Sequence, residues 1–547
     1  MNALRMEPDA VDFIEAAALK KELASGQELA LVDVREQGQY GEGHPFHAVP
    51  LAYSRLELDA GRLIPNFAVS IVLLDDGGGD TLGLRAASRL QAMGYQQVRV
   101  LKDGASGWRA AGYTLFKGVH VPSKTFGELV ESHCHTPRIS PEALKFMMAR
   151  GDDVVILDGR SRSEYAKMNI PGAVCCPNAE LAYRLHRLAP DKRTTVVVNC
   201  AGRTRSIIGA QSLINLGAGH PIFALENGTQ GWYLKDYPLE RNSSRFYPEV
   251  FAADLPMEAV RQKAAVLAQA CGVKTVTADQ LRRWRHDRSR TTYFFDVRTP
   301  EEFKAGSAHG AVHAEGGQLL QGTDLYIGVR HARVVLYDTD GIRAPLIGSW
   351  LRQMGYDVCL LGIAESLTVQ DAQVASSQAV DLPPLAGLFP AQLRALDGAA
   401  QIVDLRSSMD FRAGHLRGAV WSTRSRIRGH VDALNERHRH GEAYQPIVLV
   451  ATHPQIAALA AGELSDAQRQ RTRLLIADAA AWEQAGLTTE STPGFPADAD
   501  CLDYLFFVHD RHEGNKRAAA QYLEWEMNLV SQLDVQEKSS FNLHQAT

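Results

Sequence analysis

Cys200 stands between two apolar runs, in the stretch VVVNCAGRTRSIIGAQSLINLG that begins at Val196, and Gly202, Arg203 and Arg205 follow it closely. Residues 194–198 are largely β-branched and predict a short buried strand. Ile207, Ala210 and Ile214 recur at helical spacing, and Gly217 is a stop signal. Between them lies a tight strand-to-helix loop made of Ala201, Gly202, Arg203, Thr204, Arg205 and Ser206. Such a loop turns backbone N–H groups toward one point, and the helix N-terminus adds partial positive charge. A cysteine at the mouth of that cradle reads as an activated sulfur nucleophile with a built-in anion site, and the two arginines strengthen the reading. Without them, a cysteine after a strand is most often a small buried hydrophobe.

A loop of this kind needs a sheet behind it, and the chain carries the pattern for four. A short apolar strand ending in Asp-x-Arg recurs at Asp33, Asp158, Asp296 and Asp404, and an aromatic follows each at fixed distance: Tyr40, Tyr165, Phe303 and Phe411. A small-residue turn and a second apolar strand come next, beginning at Ser70, Thr194, Arg333 and Pro446, each followed by a helix-like stretch. Three copies carry a later tryptophan, Trp108, Trp232 and Trp482. Strands alternating with helices predict an α/β fold with parallel sheets covered on both faces. The boundaries fall near the polar or Pro-bearing links at 121–137, 242–272 and 376–384. They give domains at 1–122, 136–243, 270–372 and 384–492, and a tail over 493–547. The tail segment AAAQYLEWEMNLVSQL, from Ala518, reads as an amphipathic helix that packs across domains or onto a second copy of the chain, as in a homo-oligomer.

A chain of 547 residues is expected to hold several domains. Its net charge of −5 gives no hint of a nucleic-acid partner, and no apolar run is long enough to span a membrane. The start MNALRMEPDAVDF lacks the basic-then-apolar order of a secretory signal, and seven scattered cysteines do not make a disulfide framework. The cytoplasm is the expected compartment.

The Asp-x-Arg strands, the PGA turn at Pro171 and the strand-Cys-loop-helix at Cys200 resemble the rhodanese family of sulfurtransferases. The run of four units plus tail is similar to its four-domain bacterial members, of the thiosulfate sulfurtransferase type. The resemblance implies small domains with a central parallel sheet and a Cys200 that cycles through a persulfide. It implies transfer of a sulfane sulfur from thiosulfate or a persulfide donor to a thiophile: cyanide in vitro, a thiol or sulfite in cells. No metal or organic cofactor is implied. The partners are then small sulfur-containing anions and thiol acceptors. The Cys-x4-Arg spacing from Cys200 to Arg205 is one residue shorter than in phosphatases of this fold, which favours sulfur over phosphate. The commoner family loop has Gly at the fourth position, whereas here Gly202 is third and Arg203 fourth. Glu164 stands where some thiosulfate-using relatives carry a substrate-binding Arg.

Asp158 and Arg160 read as supporting residues that pair beside the loop. In the other copies the cysteine position falls on Asp75 or Asp76, on Asp338, and on Ala451 or Thr452, so domains 1, 3 and 4 read as non-catalytic. Cys175 and Cys176 are candidates to resolve a persulfide as a disulfide, with buried strand-end thiols the commoner case. The run His133-Cys134-His135 is too compact for a complete tetrahedral metal site. A competing reading is a protein-to-protein sulfur relay, with the three other domains as docking surfaces.

Overall fold

The computed structural model describes residues 11–78, 82–248, 257–362, 369–370, 382, 384–437, 445–476, 478–512 and 514–544. The unit around Cys200 is built on five strands, β1 (Arg138–Ile139), β2 (Val154–Asp158), β3 (Val174–Cys175), β4 (Thr195–Asn199) and β5 (Ile222–Leu225). They pair in the order β1-β5-β4-β2-β3, all parallel. The central strand β4 is apolar on both faces because both are covered: Val196, Val197 and Val198 are all fully buried. The same order and parallel pairing recur in three further five-stranded sheets, whose central strands are Ser70–Leu74, Arg333–Tyr337 and Ile447–Val450. The expected α/β fold, with four parallel sheets flanked by helices and a helical C-terminal region, is what the chain adopts.

Two of the polar links carry a helix among the described residues. α1 (Val121–Cys134) and α3 (Met257–Ala270) occupy stretches that composition marks as connections, and they flank α2 (Thr204–Asn215) in chain order. α1 looks like a linker because much of what it buries is polar: Ser123, Lys124, Thr125 and Glu128 are buried beside Val121, Phe126 and Val130. It packs on α2 so closely that a β-carbon at Gly127 would lie 2.8 Å from the Thr204 methyl group. The third domain joins the second through α4 (Arg343–Gln353), where the Trp350 indole donates to Ser212 Oγ at 2.8 Å. Arg343, fully buried, pairs across the same interface with Glu180 at 2.9 Å. The fourth domain holds the first by Arg424, which pairs with Glu57 across the interface and with Glu463 of its own domain.

The tail forms α5 (Lys516–Met527), followed by short helices at Leu529–Gln532 and Val535–Lys538. It runs back over the first two domains. Trp525 Nε1 donates to the Lys117 carbonyl at 2.9 Å, and Lys20 bonds Glu537 at 3.0 Å.

Candidate active site

Strand register fixes which residue of each copy stands where Cys200 does. Asp158 pairs with Asn199, the residue before Cys200. By the same pairing Asp33 faces Leu74, Asp296 faces Tyr337 and Asp404 faces Val450. The equivalents of Cys200 are therefore Asp75, Asp338 and Ala451. The tail of the first domain adds a second match: Ala105 N donates to the Asp75 carbonyl, as Thr229 N donates to the Cys200 carbonyl, both at 2.8 Å.

The loop is held from behind. The Cys200 carbonyl accepts from the Thr229 N–H and hydroxyl, at 2.8 and 3.0 Å, and the Ala201 carbonyl accepts from Gln230 N at 3.0 Å. Asn227 and Gly228 have φ of 57° and 55°, and a β-carbon at Gly228 would lie 2.4 Å from the Cys200 carbonyl oxygen. Only glycine fits there without moving the loop. Gly228→Ala should thus lower both stability, by about 1–3 kcal/mol, and activity per folded molecule. Thermal melting and a rate assay on the folded fraction check this; unchanged values would contradict the tight packing.

With these carbonyls turned away, the N–H groups of Thr204, Arg205 and Ser206 form the first turn of α2 and have no intrahelical acceptor. Those of Ala201, Gly202 and Arg203 also meet no acceptor among the described residues. Cys200 sits at this cradle, 3 % exposed. In the first and third domains an aspartate takes the corresponding amides for itself. Asp75 accepts from Gly77 N and Gly83 N at 2.9 and 2.8 Å. Asp338 accepts from Gly341 N and Ala344 N at 3.0 and 2.7 Å. A built-in carboxylate fills the place that an anion would use, and neither group is a sulfur nucleophile.

Both loop arginines are committed to carboxylates. Arg205 meets Glu164 in two bonds, at 2.8 and 2.6 Å. Burial disfavours the Glu164 carboxylate, but Arg205 and Arg160 outweigh it and hold the group well below the usual range. Arg203 donates to Glu128 at 2.7 and 2.8 Å and also to Glu131. Burial pushes the Glu128 carboxyl up to about 7 against the pull of Arg203, aided by the charges of Glu526 and Glu131. The positive charge expected from the two arginines is therefore largely offset.

Asp158 and Arg160 form a pin. Arg160 donates to both carboxylate oxygens, at 2.8 and 2.6 Å, and to the Met168 carbonyl at 2.7 Å. Arg35, Arg298 and Arg406 repeat this geometry with their own aspartates and with the carbonyls of Gly43, Gly306 and Gly414. A feature present in all four copies belongs to the fold. Asn199 links the pin to the loop, donating to Asp158 at 3.1 Å.

Sequence reasoning did not find the groups that cover the loop. α5 brings Tyr522, Leu523 and Glu526 against it: a β-carbon at Gly202 would lie 2.9 Å from Glu526 Oε2 and 3.3 Å from the Tyr522 ring. Glu526 is fully buried; its Oε1 accepts from the Thr204 hydroxyl at 2.6 Å and from Lys124 at 3.0 Å. Burial opposes its charge, but Lys124 and Thr204 keep the carboxyl below its ordinary value. Its Oε2 is buried without a partner. Cys175 and Cys176 are buried thiols; burial pushes Cys175 up to about 12 and Cys176 well above its ordinary value. Cys134 ends α1, and burial raises it as well.

The rhodanese-like domain model matches this chain four times, over residues 15–111, 140–235, 277–363 and 389–485. The crystal structure of a thiosulfate sulfurtransferase from Pseudomonas aeruginosa is similar over 98% of this chain and 100% of its own, with 37% identity and a TM-score of 0.87. The Alr3790 protein from Anabaena is 26% identical over 19% of this chain and 93% of its own, with a TM-score of 0.18. Among curated proteins, an HTH-type transcriptional regulator from Mycobacterium tuberculosis is 32% identical over 91 residues, 17% of this chain; the match spans 39% of that regulator's length.

Proposed function

The chain belongs to the rhodanese family, whose domain recurs over well over half its length, and from that premise we propose that it is a sulfurtransferase working through Cys200. The observation that carries this reading is a thiol at the start of a strand-to-helix loop whose N–H groups meet no acceptor among the described residues, where two of the other domains carry an aspartate that takes them. Attack of the Cys200 thiolate on the outer sulfur of a donor such as thiosulfate forms a new S–S bond. The donor's own S–S bond breaks, and sulfite leaves with its electron pair. The loop amides stabilise the negative charge on the leaving group and then on the persulfide. A thiophile (cyanide in vitro, a thiol or sulfite in cells) takes the outer sulfur and restores the thiolate. The two half-reactions predict ping-pong kinetics.

Support for thiosulfate as donor comes from the activity named for the Pseudomonas aeruginosa neighbour. Cys200 is 3 % exposed and α5 packs on the loop at Gly202 and Thr204, which favours a small donor over a docked partner protein. Domains 1, 3 and 4 act as scaffold in this reading, two of their loops being filled by Asp75 and Asp338. All seven cysteines are free, which suits a reducing compartment such as the cytoplasm. Formation of thiocyanate from thiosulfate and cyanide tests the proposal. Turnover that depends on Cys200 supports it. Release of phosphate from aryl phosphates with no thiocyanate formed would replace it by phosphatase chemistry.

The Glu526 carboxylate bears on donor charge. Its removal in Glu526→Gln should raise kcat/KM for thiosulfate roughly fivefold, the effect of about 1 kcal/mol of relieved repulsion, while the melting temperature falls because Lys124 loses its counter-charge. Equal kcat/KM in the two proteins would show that Glu526 plays no part in donor selection.

A further inference from the structure

A cavity of about 210 Å³ lies where the first domain, the third domain and the tail meet. At roughly 30 Å³ per water it has room for a small ion and its first waters. Phe46–Val49 form one wall, Thr323, Asp324, Ile327–His331 and Met354–Tyr356 a second, and Ser539–Asn542 of the tail a third. The buried arginines elsewhere in the chain, Arg160, Arg343 and Arg424 among them, each face a carboxylate. Arg330, which lines this cavity and is partly buried, meets no carboxylate within 4 Å among the described residues. Its Nε is buried and unpartnered. Its Nη1 contacts His47 Nδ1 at 2.6 Å, which makes that ring nitrogen the acceptor and places the His47 proton on Nε2. His331, the next residue, is held at φ 61° and leaves its Nε2 buried without a partner. The carboxylate on the cavity wall, Asp324, is already bonded to His120 at 2.7 Å and lies 3.5 Å from the Tyr40 hydroxyl.

Arg330 is partly buried, but its Nε is wholly so, and a buried guanidinium N–H left without an acceptor is costly unless a ligand supplies one. We propose that this cavity is a binding site for a small tetrahedral oxyanion, held by the Arg330 fork with His47 and His331 as further donors. The fork matches two oxygens of such an ion, as it matches a carboxylate. Ser539 and Ser540 of the tail line the same cavity. An ion seated there therefore fastens the segment that continues α5, whose Glu526 lies on the catalytic loop. The site does not depend on the chemistry assigned to Cys200.

The test uses the full chain with Cys200→Ser, so that no donor reacts, and titrates sulfate, phosphate and thiosulfate separately by calorimetry at constant ionic strength. The expected result is a saturable site whose affinity falls about tenfold or more in Arg330→Gln, the effect of losing a charged donor. Anion-dependent thermal stabilisation should be lost in parallel. Should Arg330→Gln fail to fold, Arg330→Lys keeps the charge without the fork and should bind more weakly than arginine. Tighter thiosulfate than phosphate assigns the site to the reaction's own anions, and tighter phosphate to free phosphate; both require Arg330. Equal binding with and without Arg330, or no binding by any of the proteins, overturns the proposal.

Discussion

Cys200→Ser should lose thiocyanate formation from thiosulfate and cyanide by roughly 10³-fold or more, with little change in stability. A hydroxyl accepts no sulfane sulfur, and removal of a nucleophile that acts in both half-reactions is rarely compensated. The exchange conserves shape, so its cost in folding is small. The contrasting variants are Cys175→Ser and Cys176→Ser. Both thiols are buried away from ionisation, and Cys175 lies against the Arg160 carbonyl at 3.6 Å. Neither substitution should change turnover by more than a few-fold. Rates normalised to folded protein decide the matter; activity surviving in Cys200→Ser would move the chemistry to another residue.

Asp158→Ala should cost the largest stability of any single change near the site, about 3–5 kcal/mol, because it strands the fully buried Arg160 guanidinium. The loss should appear as a lower denaturation midpoint in urea. In the fourth domain Asp404→Ala removes the same pin, but Arg406 is more exposed and its loss should be smaller. The pair also separates fold from chemistry. Both variants should keep sulfur transfer in whatever fraction remains folded, less completely for Asp158, since Asn199 ties it to the loop. Abolished turnover in fully folded Asp158→Ala would make it a catalytic group instead.

The local parts of this molecule were legible in its sequence. The β-branched run before Cys200 folds as β4, and Ile207, Ala210 and Ile214 lie along α2 with Gly217 just beyond it at φ 57°. Repetition made the four sheets visible, since each Asp-x-Arg strand carries its own signature. Composition could not choose between Asp75 and Asp76; pairing with Asp33 did, because register is a property of two strands. The charge of the site was misread for a similar reason. Arg203 and Arg205 looked like free cations, yet their partners Glu128 and Glu164 lie 75 and 41 residues away. Glu526 lies 322 residues from Thr204, in a helix whose pattern announces packing without saying against what. α1 escaped because Lys124 and Glu128 are buried polar groups, satisfied only by the tail and the loop.

The account rests on one thiol that accepts one sulfur atom, and intact-protein mass spectrometry reads that event directly. Wild-type protein incubated with thiosulfate should gain the mass of a single sulfur, placed on Cys200 by peptide mapping, and should lose it on adding cyanide. Protein that stays unmodified, or carries the sulfur on any of the other six cysteines, would contradict it.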